Sequence, residues 1–234
     1  MLILQSSFML EQLPNILIWT ILWVTSWGIF FLLVYKKNLD YIKYFIWTAT
    51  YFLSIAIITS LVFRDYITRV LQNFTTTPLV ILGIVVLIHI ILYIYLPRYF
   101  KEPKNYFEKY PKRQYLKINP RRLVSKSMDI LSQQVFVILL VMFLQDADLT
   151  LNQIIIAFVV IFGLVHMPLI LTERGAWPSW YFIVSSILSA IIFPTLILKI
   201  QYGFVYSYIF HWTFYTFTAI GFWTLYPRYH RNEP

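Results

Sequence analysis

The sequence contains no cysteine, and this excludes disulfides, cysteine-ligated zinc, iron–sulfur clusters and thiol catalysis. Charged residues are also scarce: they make up 12% of the chain, against roughly a quarter in soluble globular proteins. A chain of this composition has too little polar surface to coat a water-soluble body. The first 13 residues show no basic n-region and no small-residue cleavage site, so we expect no cleavable signal peptide.

Hydrophobic residues, by contrast, make up 59% of the chain, and they are gathered into long runs typical of membrane-spanning helices. We therefore predict an all-α, polytopic integral membrane helical bundle with about seven transmembrane helices in one domain, residues 1–234. It would comprise three N-terminal spans (1–97), a basic cytoplasmic loop (98–126) and a four-span core (127–226). The predicted spans are Leu13–Tyr35, Tyr41–Phe63, Pro78–Pro97, Ser127–Gln145, Thr150–Leu171, Trp177–Leu198 and Gly203–Tyr226.

The basic residues divide unequally between the two sides that these spans define. Sixteen of the nineteen lysines and arginines fall on one side, and only Arg64, Arg69 and Lys199 fall on the other. The positive-inside rule then predicts an outside N-terminus and a cytoplasmic C-terminus, in the plasma membrane of a prokaryote. Since most cations lie in one loop, the expected partner is the anionic headgroups of the inner leaflet, and not nucleic acid.

That loop, residues 98–126, interleaves tyrosine and phenylalanine with lysine and arginine. Pro103, Pro111 and Pro120 prevent one continuous helix through it. Two interpretations follow from the pattern. The loop either lies on the inner leaflet or gates a site, or it is a surface-seated connector between two parts of the bundle.

Polar residues within the predicted spans are candidates for function, because ionisable groups in hydrocarbon are costly. They are His89, Asp129, Gln133, Gln134, His166 and His211. Asp129 and Gln133 are four residues apart and share a helix face, as do His211 and Tyr215. The alternative for each histidine is an interhelical hydrogen bond. Three histidines raise the option of zinc, but no His-Glu-x-x-His is present, so we predict neither metal nor cofactor.

The order and spacing of these groups resemble the CPBP family of intramembrane CAAX-prenyl-protease and bacteriocin-processing endopeptidases. That family carries a Glu-Glu pair, a Phe-x-x-x-His motif and a His-x-x-x-Asn motif on consecutive core helices. Phe162 and His166 fit the second motif, and His211 fits the start of the third. The resemblance covers about Ser127–Tyr226 and implies a cytoplasm-facing cavity in which a glutamate activates water.

The sequence departs from that pattern at the positions that would supply the base. The Glu pair falls on Gln133 and Gln134 with no arginine after it, and the Asn position holds Tyr215. Glutamine cannot accept a proton from water. Asp129, one turn from Gln133, could supply a carboxylate instead, or it could serve as a helix-start or headgroup-binding residue.

Two classes of function follow from these observations. The first is a divergent CPBP-type intramembrane peptidase-like protein, active or catalytically inactive, that binds or cleaves a membrane-associated peptide. The second is a non-enzymatic membrane protein, either a small-solute transporter or a scaffold subunit. Transporters often contain paired broken helices in matching halves, and the absence of such pairing favours the first class.

Overall fold

The protein is described by a computed structural model covering residues 2–72, 74–111, 113–172 and 179–229. Every regular element in this part of the chain is helical, and it contains no β-strand. The helices are α1 (Leu2–Lys37), α2 (Phe45–Val62), α3 (Arg64–Leu71), α4 (Thr77–Tyr99), α5 (Lys104–Lys109), α6 (Pro120–Asp146), α7 (Leu151–Thr172), α8 (Ser179–Lys199) and α9 (Gly203–Tyr229), with a 3-10 turn at Gln114–Leu116. The all-α prediction is confirmed.

Four helices are long and apolar enough to cross a membrane, judged by length and composition over the described residues. They are Glu11–Lys37 within α1, Phe45–Val62, Thr76–Tyr99 and Pro120–Asp146. The described parts of α7 and α8 supply shorter apolar segments, Leu151–Phe162 and Val184–Lys199. Large aliphatic and aromatic side chains are exposed along α1, α2 and α4. An exposed apolar surface of this extent suits contact with lipid and not with water.

Helix α6 lies at the centre of the bundle, and 19 of its 27 residues are buried. It packs against α1, α2, α3, α4, α7, α8 and α9, with α2 as its most extensive partner. One core cluster lies between α6 and the helices α1, α2, α7 and α8. A second lies between α6, α4, α9 and the segment before α6. Because protein surrounds α6, its polar side chains can find partners that lipid would not provide.

Helix α6 begins at Pro120 and not at Ser127, where hydropathy places the start of the fourth span. Asn119 caps it, since its Oδ1 accepts the Arg121 backbone N–H at 2.9 Å, and Pro120 occupies the first turn. Arg122 and Lys126 therefore lie on the helix and are buried, 1% and 5% exposed. The predicted loop thus loses its last residues to α6, because a hydropathy reading treats every cation as outside the bundle.

The rest of the predicted loop folds back onto the ends of α4 and α9. The buried Tyr106 ring packs against Phe222 and Tyr226, with centroids 4.6 and 5.1 Å apart. Trp223 Nε1 donates to the Leu116 carbonyl at 3.0 Å. Tyr106 and Phe107 of the loop are thus part of the core at this end of the bundle, which fixes the loop beside the cavity described next.

Candidate functional site

A cavity of about 630 Å³ runs between α1, α6, α7 and α9. Its wall is mainly apolar and includes three tryptophans of α1, Trp19, Trp23 and Trp27. Its polar lining on α6 and α9 consists of Lys126, Gln133, His211 and Tyr215. The segments 38–41 and 111–114 contribute residues to one end of the cavity, which is the end nearest the basic loop. An elongated apolar cavity with a few convergent polar groups is the usual form of a ligand site.

Spacing along α1 explains the aromatic wall. Trp19, Trp23 and Trp27 recur every four residues and therefore lie on one helix face. Neighbouring ring centroids are 6.4 Å apart in both pairs. Trp19 Nε1 also donates to the Phe136 carbonyl at 2.9 Å, across to the middle of α6. This bond fixes which face of α1 lines the cavity.

Asp129 forms the centre of a buried polar cluster behind the cavity wall. Its side chain is fully buried, and Oδ2 accepts from Lys126 Nζ at 2.6 Å and from Tyr41 Oη at 2.8 Å. Gln133 Nε2 donates to Oδ1 at 2.6 Å, so the two residues use the shared helix face that their spacing indicates. Asp129 is not among the residues that line the cavity. Three side-chain donors thus bond this carboxylate, and this arrangement does not direct it towards a water molecule in the cavity.

Lys126 belongs both to this cluster and to the cavity wall. Its ammonium lies 3.9 Å from the centroid of the Tyr215 ring and 5.6 Å from that of Tyr41. The cation is thus held by one carboxylate and two aromatic faces. Asp129 does not cap α6, since Asn119 does, and the interpretation of Asp129 as a helix-start residue is wrong for that reason.

Tyr41 joins the loop between α1 and α2 to this cluster. Burial, and then the neighbouring Asp129 carboxylate, raise the pKa of the Tyr41 hydroxyl well above its ordinary value. The phenol therefore remains a neutral donor to Asp129 throughout the physiological pH range. Ser125 Oγ also donates to the Tyr41 backbone carbonyl at 2.7 Å. Together these bonds fix the loop against α6.

Gln134 faces a different partner from Gln133, because consecutive residues on a helix point about 100° apart. It is 1% exposed, and its amide nitrogen donates to Ser207 Oγ on α9. Its Oε1 lies 3.4 Å from His211 Nδ1, at the long limit of a hydrogen bond. The His211 ring in turn lies 5.4 Å from that of Tyr215, between ring centroids. The structure thus brings the second glutamine and the third-motif histidine into contact.

Two of the predicted histidines, His166 and His89, remain to be placed. His166 lies on α7, but its side chain is outside the described residues; the neighbouring Val165 and Phe162 line the cavity. His89 lies elsewhere, at the interface of α4 and α9. It stacks on Trp212 with centroids 4.2 Å apart, and its Nδ1 is 2.8 Å from the Val85 carbonyl oxygen.

Sequence reasoning missed Lys126, Tyr41 and Ser207 as members of the site. A signal for Lys126 existed, since it is three residues from Asp129 and such pairs meet on a helix. Tyr41 and Ser207 gave none, because both contacts join residues more than 70 positions apart. Among the described residues, no three histidine, aspartate or glutamate side chains are grouped so that they could hold a metal ion.

No family model, no curated protein and no solved structure matches this chain. The CPBP resemblance therefore depends on the residues of the chain itself.

Proposed function

We propose that the chain is a divergent CPBP-type intramembrane protein that binds a membrane-associated peptide without cleaving it. One observation carries this proposal: Gln133 and His211, which occupy family motif positions, line one cavity together with Tyr215. Gln134, the other half of the missing acidic pair, contacts His211. A peptidase frame in which glutamine replaces the base would keep its pocket and lose hydrolysis.

The state of Asp129 supports the non-catalytic form of this proposal. A general base has to reach the water that it activates, directly or through one further water. Asp129 is fully buried, bonded to Lys126, Tyr41 and Gln133, and absent from the cavity wall. The carboxylate on the described wall of the cavity belongs to Asp40, whose Oδ1 already accepts the backbone N–H groups of residues 42 and 43.

The membrane arrangement belongs to the same proposal. Helices α1, α2, α4, α6, α7, α8 and α9 would be the seven spans, with the N-terminus outside and the C-terminus in the cytoplasm of a prokaryotic cell. The distribution of basic residues supports this orientation. The cavity would then open near the basic segment and the inner leaflet, whose anionic headgroups would contact that segment.

The test combines binding and cleavage by the purified protein in detergent. A fluorescent, farnesylated peptide and its unmodified form are the probes, and product is followed by mass spectrometry. We expect the wild type to bind the lipid-modified peptide and to leave it intact. His211→Gln should weaken binding, whereas His89→Gln should not, because His89 is buried and does not line the cavity.

Two further variants separate the alternatives. Cleavage gained by Gln133→Glu or Gln134→Glu would support an inactive peptidase frame. Cleavage by the wild type that is lost in Asp129→Asn and His166→Ala would contradict the non-catalytic proposal and give Asp129 the role of a relocated base. A wild type that neither binds nor cleaves would overturn the proposal and favour the transporter or scaffold class.

A further inference from the structure

The cavity is long and narrow enough to hold a single hydrocarbon chain. Its lining on α1 extends from Trp19 to Tyr35, a distance of about 24 Å at 1.5 Å per residue. One leaflet of a bilayer is only about 15 Å of hydrocarbon deep. A lipid chain that extends across a leaflet therefore fits within the cavity along its axis. Aromatic rings line this length on the α1 side.

Helices α1 and α7 form two walls of the cavity, and they do not pack extensively against each other over the described residues. Helix α1 packs on α6 and α2, and α7 packs on α8 and α6. Val24 and Phe31 line the cavity and yet are 55% and 42% exposed. The apolar wall thus includes exposed side chains of α1, and in the proposed membrane arrangement a chain that enters between α1 and α7 would avoid water.

The charged and polar residues of the cavity wall determine which head group a bound lipid chain can carry. Lys126 is the lysine that lines the cavity, and its ammonium pairs with Asp129, which does not line it. Gln133 and His211 add polar groups to the same wall. The acidic member of the lining, Asp40, is at the mouth and is already bonded to its own loop. A cationic head would meet Lys126 at close range, whereas an anionic head would be bonded by it.

We propose that the cavity binds a single-chain lipid with an anionic carboxylate or phosphate head, which enters between α1 and α7 and bonds Lys126. The proposal uses the same cavity as the proposed function but goes beyond it and does not depend on the peptide. It differs in that the head is an anion recognised by Lys126 and not a peptide. Lys126 would share its hydrogen bonds between Asp129 and the ligand.

The probes for the test are cis-parinaric acid and the corresponding alcohol, two polyene chains that differ only in the head. Both accept excitation energy from tryptophan, and three tryptophans line the cavity. We expect the acid to bind about tenfold more tightly than the alcohol, as one charge-assisted bond would give. Hexadecyl phosphate should displace the acid, and inorganic phosphate should not, because the chain is needed.

Variants at the pair give predictions of opposite sign. Asp129→Asn removes the competing carboxylate, so binding of the acid should tighten while that of the alcohol stays unchanged. In the double variant K126M/D129N, the preference for the acid should fall to about onefold, because the cation has gone. Displacement of the acid by inorganic phosphate alone would show a simple anion site and would overturn the proposal.

Gly28 and Gly83 provide a matched pair for locating the bound chain. Both are helical, and a Cβ at either one would meet nothing within 4 Å, but only Gly28 lines the cavity. Gly28→Leu should abolish binding of both probes, whereas Gly83→Leu should leave it unchanged. Leucine has a higher helix propensity than glycine, so neither change opposes folding.

The outcomes separate this proposal from the proposed function. Equal binding of acid and alcohol by the wild type, or unchanged binding in Gly28→Leu, would overturn the lipid-anion proposal even if the farnesylated peptide binds. Selective binding of the acid by a protein that ignores the peptide would sustain it and overturn the proposed function. A protein that binds neither probe refutes the lipid-anion proposal outright.

Discussion

Replacing Lys126 with methionine should destabilise the protein strongly, because it leaves a buried carboxylate without its cation. The side chains of Lys126 and Asp129 are 6% and 0% exposed, and Lys126 Nζ lies 2.6 Å from Asp129 Oδ2. Breaking a buried pair from one side costs about 3–5 kcal/mol. We expect the lower end of that range, since Tyr41 and Gln133 still donate to Asp129 in the variant.

The double variant K126M/D129N should be more stable than Lys126→Met alone. It contains no unpaired charge, and replacing both members of a buried ion pair with neutral groups is often close to neutral. Unfolding can be followed in mixed micelles by tryptophan fluorescence as the mole fraction of dodecyl sulfate rises. The two single variants and the double variant form a cycle that measures the coupling between the partners.

The exposed pair Arg64–Asp65 is the control for this cycle. Its side chains are 82% and 92% exposed and its atoms are 3.5 Å apart. Arg64→Met should therefore leave the unfolding midpoint unchanged. If Lys126→Met has as little effect, or if the two single effects at Lys126 and Asp129 simply add, the reasoning about a buried, coupled pair is refuted.

Three further substitutions test contacts at other places in the bundle. Trp19→Phe keeps an aromatic ring but loses the bond to the Phe136 carbonyl and part of the buried indole volume, so it should lower the free energy of unfolding by at least about 1 kcal/mol in the same micelle assay. Gln134→Leu should cost about 1–3 kcal/mol, because it removes a buried amide that joins α6 to α9. Arg69→Ala breaks a half-exposed contact in which Nη2 donates to both oxygens of Asp146 at 3.0 and 2.9 Å, so it should cost at most about 1 kcal/mol, and the cost should shrink as salt is added. An effect of Arg69→Ala that is independent of salt, or a Trp19→Phe protein as stable as the wild type, would contradict these assignments.

Hydropathy predicts two of the spans to within two residues of the observed helices, but it predicts the start of the fourth seven residues too late. The predicted spans Pro78–Pro97 and Thr150–Leu171 differ by one or two residues at each end from α4 and α7. A long apolar run determines by itself where a chain can lie in hydrocarbon, so the bounds of these helices depend mainly on the local sequence. The sequence analysis does not predict the short amphipathic helix α3, Arg64–Leu71, because its pattern is brief and half of its residues are polar.

The polar side chains that the candidate site uses were only partly predictable. Neighbours on one helix, such as Asp129 and Gln133, follow from a four-residue spacing. The partners on other helices do not, since nothing in the sequence near Asp129 indicates that Tyr41 will reach it. The burial of Arg122 and Lys126 was missed for the same reason: hydropathy assigns a cation to water unless its partner is known.

The central position of α6 has a consequence for how the protein is made. As an isolated segment, α6 would enter the membrane with difficulty, because Lys126 and Asp129 are charged. A charged residue costs about 2.5–3.5 kcal/mol at the centre of a span, and less in the first half of the helix, where these two lie. In the folded chain, the helix that packs most extensively against α6 is α2. Tyr41, which donates to Asp129, lies just before α2 in the sequence. Tyr41 and α2 are synthesised before α6. When α6 leaves the ribosome, some of the residues that bond its polar side chains are therefore already in place. A fragment that starts at Pro120 would lack that surface, and a fragment that ends after Asp146 would possess most of it.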